Sequence, residues 1–308
     1  MDRTNRNTSR VLTLIANVLI FLLFLALTVI AYDTVRSLKA VRNQLSETKE
    51  CVALLQQEIE KIRGETEVLQ LRTEELQKEN ESFTSGRDAF FSMAMELERR
   101  VQNNETDIKI AYLTFDDGPY EATTGRFLDV LDEYHIKATF FQLGKTTEIH
   151  DQLYHRIYES GHTIANHTYS HKIKNGIYRN VDTFIDDVVK NREFIEEKLG
   201  ITTNILRFPG GSATAGNLKE GILARLRELG YGYVDWNAET LDGKYINLEP
   251  EEYRDNLFAR VDEQKFLVVL MHDYCEGTLA ALPEIIEGLK ERGYIFLPLF
   301  YESVAVNK

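Results

Sequence analysis

Hydrophobic and polar residues follow three successive patterns along this chain. From Val11 to Tyr32 the run VLTLIANVLIFLLFLALTVIAY carries no charge. As a helix its roughly 22 residues span about 33 Å, enough to cross the hydrocarbon core of a bilayer. A heptad spacing comes next. With Leu38 at a, positions Leu45, Val52 and Ile59 follow at a, while Val41, Leu55, Ile62, Leu69, Leu76 and Phe83 fall at d. Thr48, Thr66, Thr73 and Asn80 interrupt the seam, and Cys51 lies at g beside it. So narrow an apolar stripe stabilises a single helix poorly and predicts a coiled coil: residues 38–83 would form a rod of roughly 70 Å, paired with another copy of the chain. The stretch FTSGRDAF, Phe83 to Phe90, breaks the pattern, and a shorter helical run leads to Asn103 and Asn104, where the stalk is expected to end.

From about Asp107 short apolar runs alternate with segments of helical period. The strand candidates are IKIAYLTF (108–115), KATFFQL (137–143), GHTIAN (161–166), NILRF (204–208), YGYVDW (231–236), FLVVLM (266–271) and YIFLPL (294–299). Helical patterns cover Asn180 to Leu199, Leu218 to Leu229, Pro250 to Glu263 and Leu279 to Arg292. Strands alternating with helices imply βα units and a parallel sheet. About seven of them in roughly 200 residues suit an α/β fold built as a distorted, incomplete (β/α) barrel, with an open doubly wound sheet as the alternative. The expected organisation is a short tail (1–10), a transmembrane anchor (11–32), a coiled-coil stalk (33–104) and a catalytic domain (107–308).

Composition narrows this picture. The 308 residues are 43% hydrophobic with a formal charge of −13, enough apolar content for sizeable cores and the wrong sign for a nucleic-acid groove. Two cysteines, Cys51 and Cys275, supply no disulfide framework. The apolar run is longer than the roughly 7–15 residues of a signal-peptide core, so an uncleaved anchor is favoured over a cleaved signal ending near Val29 and Ala31. Arg3, Arg6 and Arg10 precede the span while Arg36, Lys39, Arg42 and Lys49 follow it, so the flanking charges assign no orientation.

In a parallel α/β barrel the loops after the strands form one face, where distant residues converge. Five predicted strand ends carry reactive side chains: Asp116 and Asp117 in TFDDGP, His167 and His171 in HTYSH, Arg207 in RFPGG, Asp235 and Trp236 in VDW, and His272 in LMH. Asp-Asp-Gly-Pro alone reads as a turn. Two His four apart, on a helical turn, would face one way and reach one metal ion, and one Asp completes a set with open coordination positions. Such an ion polarises a carbonyl and lowers the pKa of water, leaving a neighbouring carboxylate to take a proton and a histidine to return one. Singly, Arg207 reads equally well as an ion-pair residue, Asp235 as a helix cap and His272 as a satisfied strand-end histidine. His162 reads as structural, and His135, His150 and His155 as surface residues.

The ordered set TFDDGP, HTYSH, RFPGG, VDW and LMH resembles the polysaccharide deacetylases of carbohydrate esterase family 4, the NodB-homology domain, over residues of about 107 to 302. That resemblance implies that Asp117, His167 and His171 bind a divalent ion, most often zinc, with cobalt, manganese or nickel as substitutes. It implies that Asp116 is the general base, Arg207 the residue that orients it, His272 the general acid and Asp235 the carboxylate that tunes it. Trp236, Pro209 and Gly210 would line the substrate groove. Many members have an aromatic residue after the motif's proline, where this chain has Gly210 and Gly211; a backbone N–H there can still donate to an oxyanion.

The expected function is metal-dependent deacetylation of N-acetylated sugars, peptidoglycan N-acetylglucosamine first, with chitin-like polymers, poly-N-acetylglucosamine or acetylxylan as alternatives. The expected setting is the cell membrane, single-pass, with the catalytic domain outside the cytoplasm and the stalk joining copies. Two rivals remain: a glycan-binding scaffold without catalysis, and a cytoplasmic enzyme acting on a small amide.

Overall fold

The Thr, Arg, Leu, Glu and Lys of the first hundred residues are compatible with helix throughout, and one helix, α1, runs from Arg3 to Gln102. The computed structural model describes residues 3–261 and 264–308; side chains are described from Leu14 onward except at 75, 76, 79–81 and 83. Among the described residues one helix, from Leu14 onward, is long and apolar enough to cross a membrane. Through Phe83 to Phe90, where the heptad pattern breaks, the helix itself continues. A glycine such as Gly86 costs a helix interior only about 1 kcal/mol, and the turns beyond it bury Ala94 and Val101 completely.

By contacts the chain divides into Met1–Phe83 and Thr84–Lys308. In the first unit the seam residues Leu38, Val41, Leu45, Val52, Leu55, Ile59, Ile62 and Leu69 are all exposed. Leu76, Asn80 and Phe83, which belong to the same expected seam, have side chains outside the described residues. The second unit starts well before the boundary expected at about 107. Its opening turns, expected to finish a stalk at 104, pack instead against the sheet: Ala94 and Val101 share a buried cluster with Ile110, Tyr112, Leu299 and Val306. Glu98 is only 2% exposed; its carboxylate accepts hydrogen bonds from Ser303 Oγ and Val304 N, each at 2.8 Å. Burial raises its pKa above the ordinary value.

The sheet is built from β1 (Lys109–Gly118), β2 (Thr139–Gln142), β3 (Thr163–Asn166), β4 (Ile205–Leu206), β5 (Gly232–Tyr233), β6 (Ala238–Glu239), β7 (Phe266–His272) and β8 (Tyr294–Phe296). Seven strands run in the order β5-β4-β3-β2-β1-β7-β6, and β8 pairs with the start of β1. All these strand pairs are parallel. Read cyclically, this is the order of a barrel opened between β5 and β6; a doubly wound sheet would instead reverse direction at a switch point. Strand β6 was not expected, because two residues carry no periodicity to read.

Between the strands lie α2 (Thr124–Glu133), α3 (Glu148–Glu159), α4 (Val181–Leu199), α5 (Lys219–Glu228), α6 (Pro250–Phe258) and α7 (Glu276–Glu291). The Asn180 side chain caps α4 by accepting the Thr183 N–H at 2.8 Å, and Gly200 ends it at φ 66°. Helix α6 opens on Pro250 inside a Glu249/Glu252 capping box and stops at Phe258, short of the expected Glu263; Asp262 and Glu263 lie outside the described residues. Alternation in β1 sorts its side chains. Ala111, Leu113 and Phe115 pack in the cluster that includes residues of α2 and α7, whereas Ile110 and Tyr112 join the cluster with Ala94 and Val101. Thr114 and Asp116 continue the second register, carrying polar groups towards the C-terminal end of the strands.

Candidate active site

A strand sends successive side chains to opposite faces, yet Asp116 and Asp117 open onto one cleft of about 300 Å³. The chain achieves this by leaving strand geometry at Asp117, whose φ is 71°, a conformation aspartate tolerates better than most residues. His167, His171 and His272 line the same cleft. His171 Nε2 lies 3.3 Å and His167 Nε2 3.4 Å from Asp117 Oδ1. His272 Nε2 is 3.9 Å from Asp117 Oδ2.

The HTYSH histidines do not sit on a helical turn as expected. They belong to an irregular loop after β3 in which Thr168 and His171 take φ values of 65° and 53°. The two rings nevertheless meet, with centroids 4.9 Å apart. His167 Nδ1 lies 2.8 Å from the Arg207 carbonyl oxygen. A carbonyl only accepts, so Nδ1 carries the proton and the neutral ring keeps a lone pair on Nε2, the tautomer of a metal ligand.

Three donor atoms from Asp117, His167 and His171 lie within 4.8 Å of one another. Asp117 Oδ1 is buried without a hydrogen-bond partner among the described residues, an expensive condition that a cation would relieve. Two imidazole nitrogens and one carboxylate oxygen, with coordination positions left open, suit zinc or another first-row divalent ion, so the residues fit the implied metal. Burial acts to raise the Asp117 pKa, but His167, His171 and His272 around it prevail and hold it below the carboxylate range. Burial and the neighbouring His167 lower His171. For His167, burial opposes the charged form, but Asp116 and Asp117 outweigh it and raise the pKa. A cation at Nε2 would take the place of that proton.

Arg207 is completely buried. Its Nη1 donates to Asp116 Oδ1 at 2.9 Å and to Thr114 Oγ1 at 2.6 Å; Nε and Nη2 reach the carbonyls of Val234 and Asp235, each at 3.3 Å. Its guanidinium carbon lies 4.2 Å from the Phe141 ring centroid. Asp116, 3% exposed, is thereby held by one oxygen, while its Oδ2 lies 3.6 Å from His167 Nε2.

The pairing expected between Asp235 and His272 is not formed. Asp235 accepts from Ser212 N at 2.9 Å and from Ser212 Oγ at 2.5 Å, which fixes the turn after RFPGG. The partner of His272 is Asp242: Oδ1 lies 2.8 Å from His272 Nδ1, and Oδ2 accepts from His272 N at 2.8 Å and Thr278 Oγ1 at 2.7 Å. The reason is sheet order. Strand β6 pairs with β7 through Ala238↔Val269 and Glu239↔Leu270, so three residues further on Asp242 arrives beside the end of β7. Burial disfavours charge on His272, but Asp242 more than compensates and raises the pKa to about 9. A polar Thr-Leu-Asp-Gly stretch before α6 was the only local signal, and it reads as an ordinary turn.

Trp236 and Gly210 line the cleft, along with Ile173, Gly243, Lys244 and Tyr274. Pro209 does not; its carbonyl accepts from Tyr178 OH at 2.9 Å. The glycines after it are needed for shape: Gly211 has φ 83°, and a Cβ there would sit 3.1 Å from the Trp236 ring. His162 is buried, accepts the Ala138 N–H through Nδ1 at 3.0 Å, and is pushed down to about 3 by burial.

A family model for polysaccharide deacetylase matches residues 103–234. A peptidoglycan-N-acetylglucosamine deacetylase of Bacillus cereus is 31% identical over 204 residues, which are 65% of this chain and 72% of that protein. The catalytic domain of a peptidoglycan N-acetylglucosamine deacetylase from Eubacterium rectale superposes with a TM-score of 0.60 at 34% identity, covering 65% of this chain and 93% of the other. A Streptococcus mutans CE4 esterase gives 0.58 at 30% identity over 67% of this chain and 90% of its own.

Proposed function

The chain belongs to the polysaccharide deacetylase family, and on that premise we propose that it hydrolyses the acetamido group of N-acetylglucosamine in peptidoglycan, releasing acetate and leaving a free amine. The observation that carries this reading is the meeting, in one cleft, of three metal-type donor atoms, a fixed buried carboxylate and a histidine held towards its charged form. The names of the similar proteins support the choice of polymer.

Asp117, His167 and His171 would hold the divalent ion, zinc in the first instance. When bound, that ion supplies polarisation of the acetyl carbonyl and acidification of water. Asp116, oriented by Arg207, accepts the proton of the attacking water through its free oxygen. His272, charged with the help of Asp242, donates its Nε2 proton to the sugar nitrogen as the carbon–nitrogen bond breaks. Trp236 and Gly210 form walls against which the acetamido group packs. Residues 11–32 anchor the enzyme in the cell membrane with the catalytic unit outside the cytoplasm, and the exposed seam from Leu38 to Leu69 pairs with a second copy.

Acetate release tests the reading, using the full-length chain in detergent, stripped of metal and reloaded with zinc, on peptidoglycan and chitooligosaccharides. The expected result is zinc-dependent release, greater from peptidoglycan and abolished by Asp116→Ala. Zinc-independent release, or none from either glycan, would refute it.

A further inference from the structure

The loop that presents His167 and His171 is held in a conformation its own residues disfavour. Thr168 is β-branched and completely buried, yet takes φ 65°, where such side chains are crowded by their own backbone. His171 is also left-handed, at φ 53°.

The loop's own His171 N–H to Thr168 Oγ1 bond at 3.2 Å and the Gly144 N–H to Tyr169 carbonyl bond at 3.0 Å hold part of it, and α4 supplies the rest of the side-chain support. The Asn191 side-chain amide donates to the Gln142 carbonyl at 2.8 Å and to Asn166 Oδ1 at 3.1 Å. That Asn166 oxygen also accepts the Thr168 N–H at 2.8 Å, while Asn166 Nδ2 returns a bond to the Val188 carbonyl at 2.9 Å. One turn earlier in α4, Asp187 Oδ2 accepts from Ser170 N at 2.9 Å and Ser170 Oγ at 3.1 Å, and the Asp187 carbonyl accepts from Tyr169 N at 3.1 Å. Asn166 and Asn191 are both fully buried, so the bonds of these two side chains form where water cannot replace them.

We propose that α4 preorganises the histidine pair, with Asn191 and Asp187 as positioning residues that act through the 166–171 loop and touch neither imidazole. The proposal rests on the reading of Asp117, His167 and His171 as the metal centre. Residues that orient ligands from behind typically change metal affinity about 10- to 100-fold when removed.

The test is zinc affinity of the full-length chain in detergent, by competition with a chromophoric chelator, alongside thermal melting of the metal-free protein. Asn191→Ala and Asp187→Ala are expected to raise the zinc Kd about 10-fold or more. Asp187→Asn, which retains an acceptor for Ser170 N, should restore most of the loss, and kcat at saturating zinc should recover more fully than affinity. Thr183→Ala, at the capped start of the same helix, should lower Tm and leave Kd alone. If Asn191→Ala fails to fold, the Asp187 variants decide. A Kd within about twofold of wild type in the folded alanine variants, with only Tm lowered, would overturn the proposal. Failure of the unaltered chain to bind zinc would overturn the metal reading beneath it.

Discussion

His167 and His272 stand on either side of Asp117, and what faces each ring nitrogen suits them to the different tasks proposed for them. His167 has a backbone carbonyl on Nδ1 and carboxylates on Nε2. The contested position is therefore Nε2, where on the proposed reading a metal ion and a proton would compete for one lone pair. His272 has the Asp242 carboxylate on Nδ1, which favours the charged ring and leaves the Nε2 proton to be handed into the cleft. Under that proposal the same side chain serves as a ligand or an acid according to whether a neutral acceptor or an anion stands behind it.

The largest expected effect comes from breaking that distinction. Asp242→Asn removes the anion behind His272 and should lower kcat about 100-fold or more, the scale of lost general-acid catalysis. Zinc affinity should be nearly unchanged, and the His272 titration followed by NMR should move down from about 9.

In the metal-free chain the same pairing makes stability pH-dependent. The folded pKa of His272 is raised above its unfolded value of 6.5, to about 9. Its contribution is therefore complete below about pH 6.5 and lost as pH rises through about 9. Urea melts across that window should show wild type losing up to about 3 kcal/mol relative to His272→Gln.

A smaller effect is expected from Gly243→Ala. A Cβ at this position would lie 2.5 Å from His272 Cε1, so the ring must shift. The kcat should fall about 10-fold, a displacement of the acid rather than its loss, while the Kd for zinc is retained. The smallest effect is expected from Asp235→Asn, which leaves one acceptor for Ser212: kcat should stay within about threefold of wild type. A loss as large as that of Asp242→Asn would reinstate Asp235 as the partner of the acid.

Much of this molecule can be read before folding. The uncharged run from Val11 to Tyr32, the heptads and the strand–helix alternation are short-range patterns set by the geometry of a single element. Asp116, Asp117, His167, His171, Arg207 and His272 also stand at the ends of recognisable strands. Other features depend on partners distant in sequence. Helix α1 continues past Gly86 into turns that bury Ala94 and Val101 against residues some 200 positions away, a gain invisible to local propensity. Asp242, not Asp235, backs His272 because β6 lies against β7. The histidine loop closes through two left-handed residues and the clamp from α4, not through helical spacing. Sequence alone determined most of the elements and which reactive side chains their ends carry, because periodicity and local sterics decide both. Tertiary structure decided which of those side chains meet and which neighbour sets each one's charge, because hydrogen bonds and desolvation depend on distances that only the assembled barrel fixes.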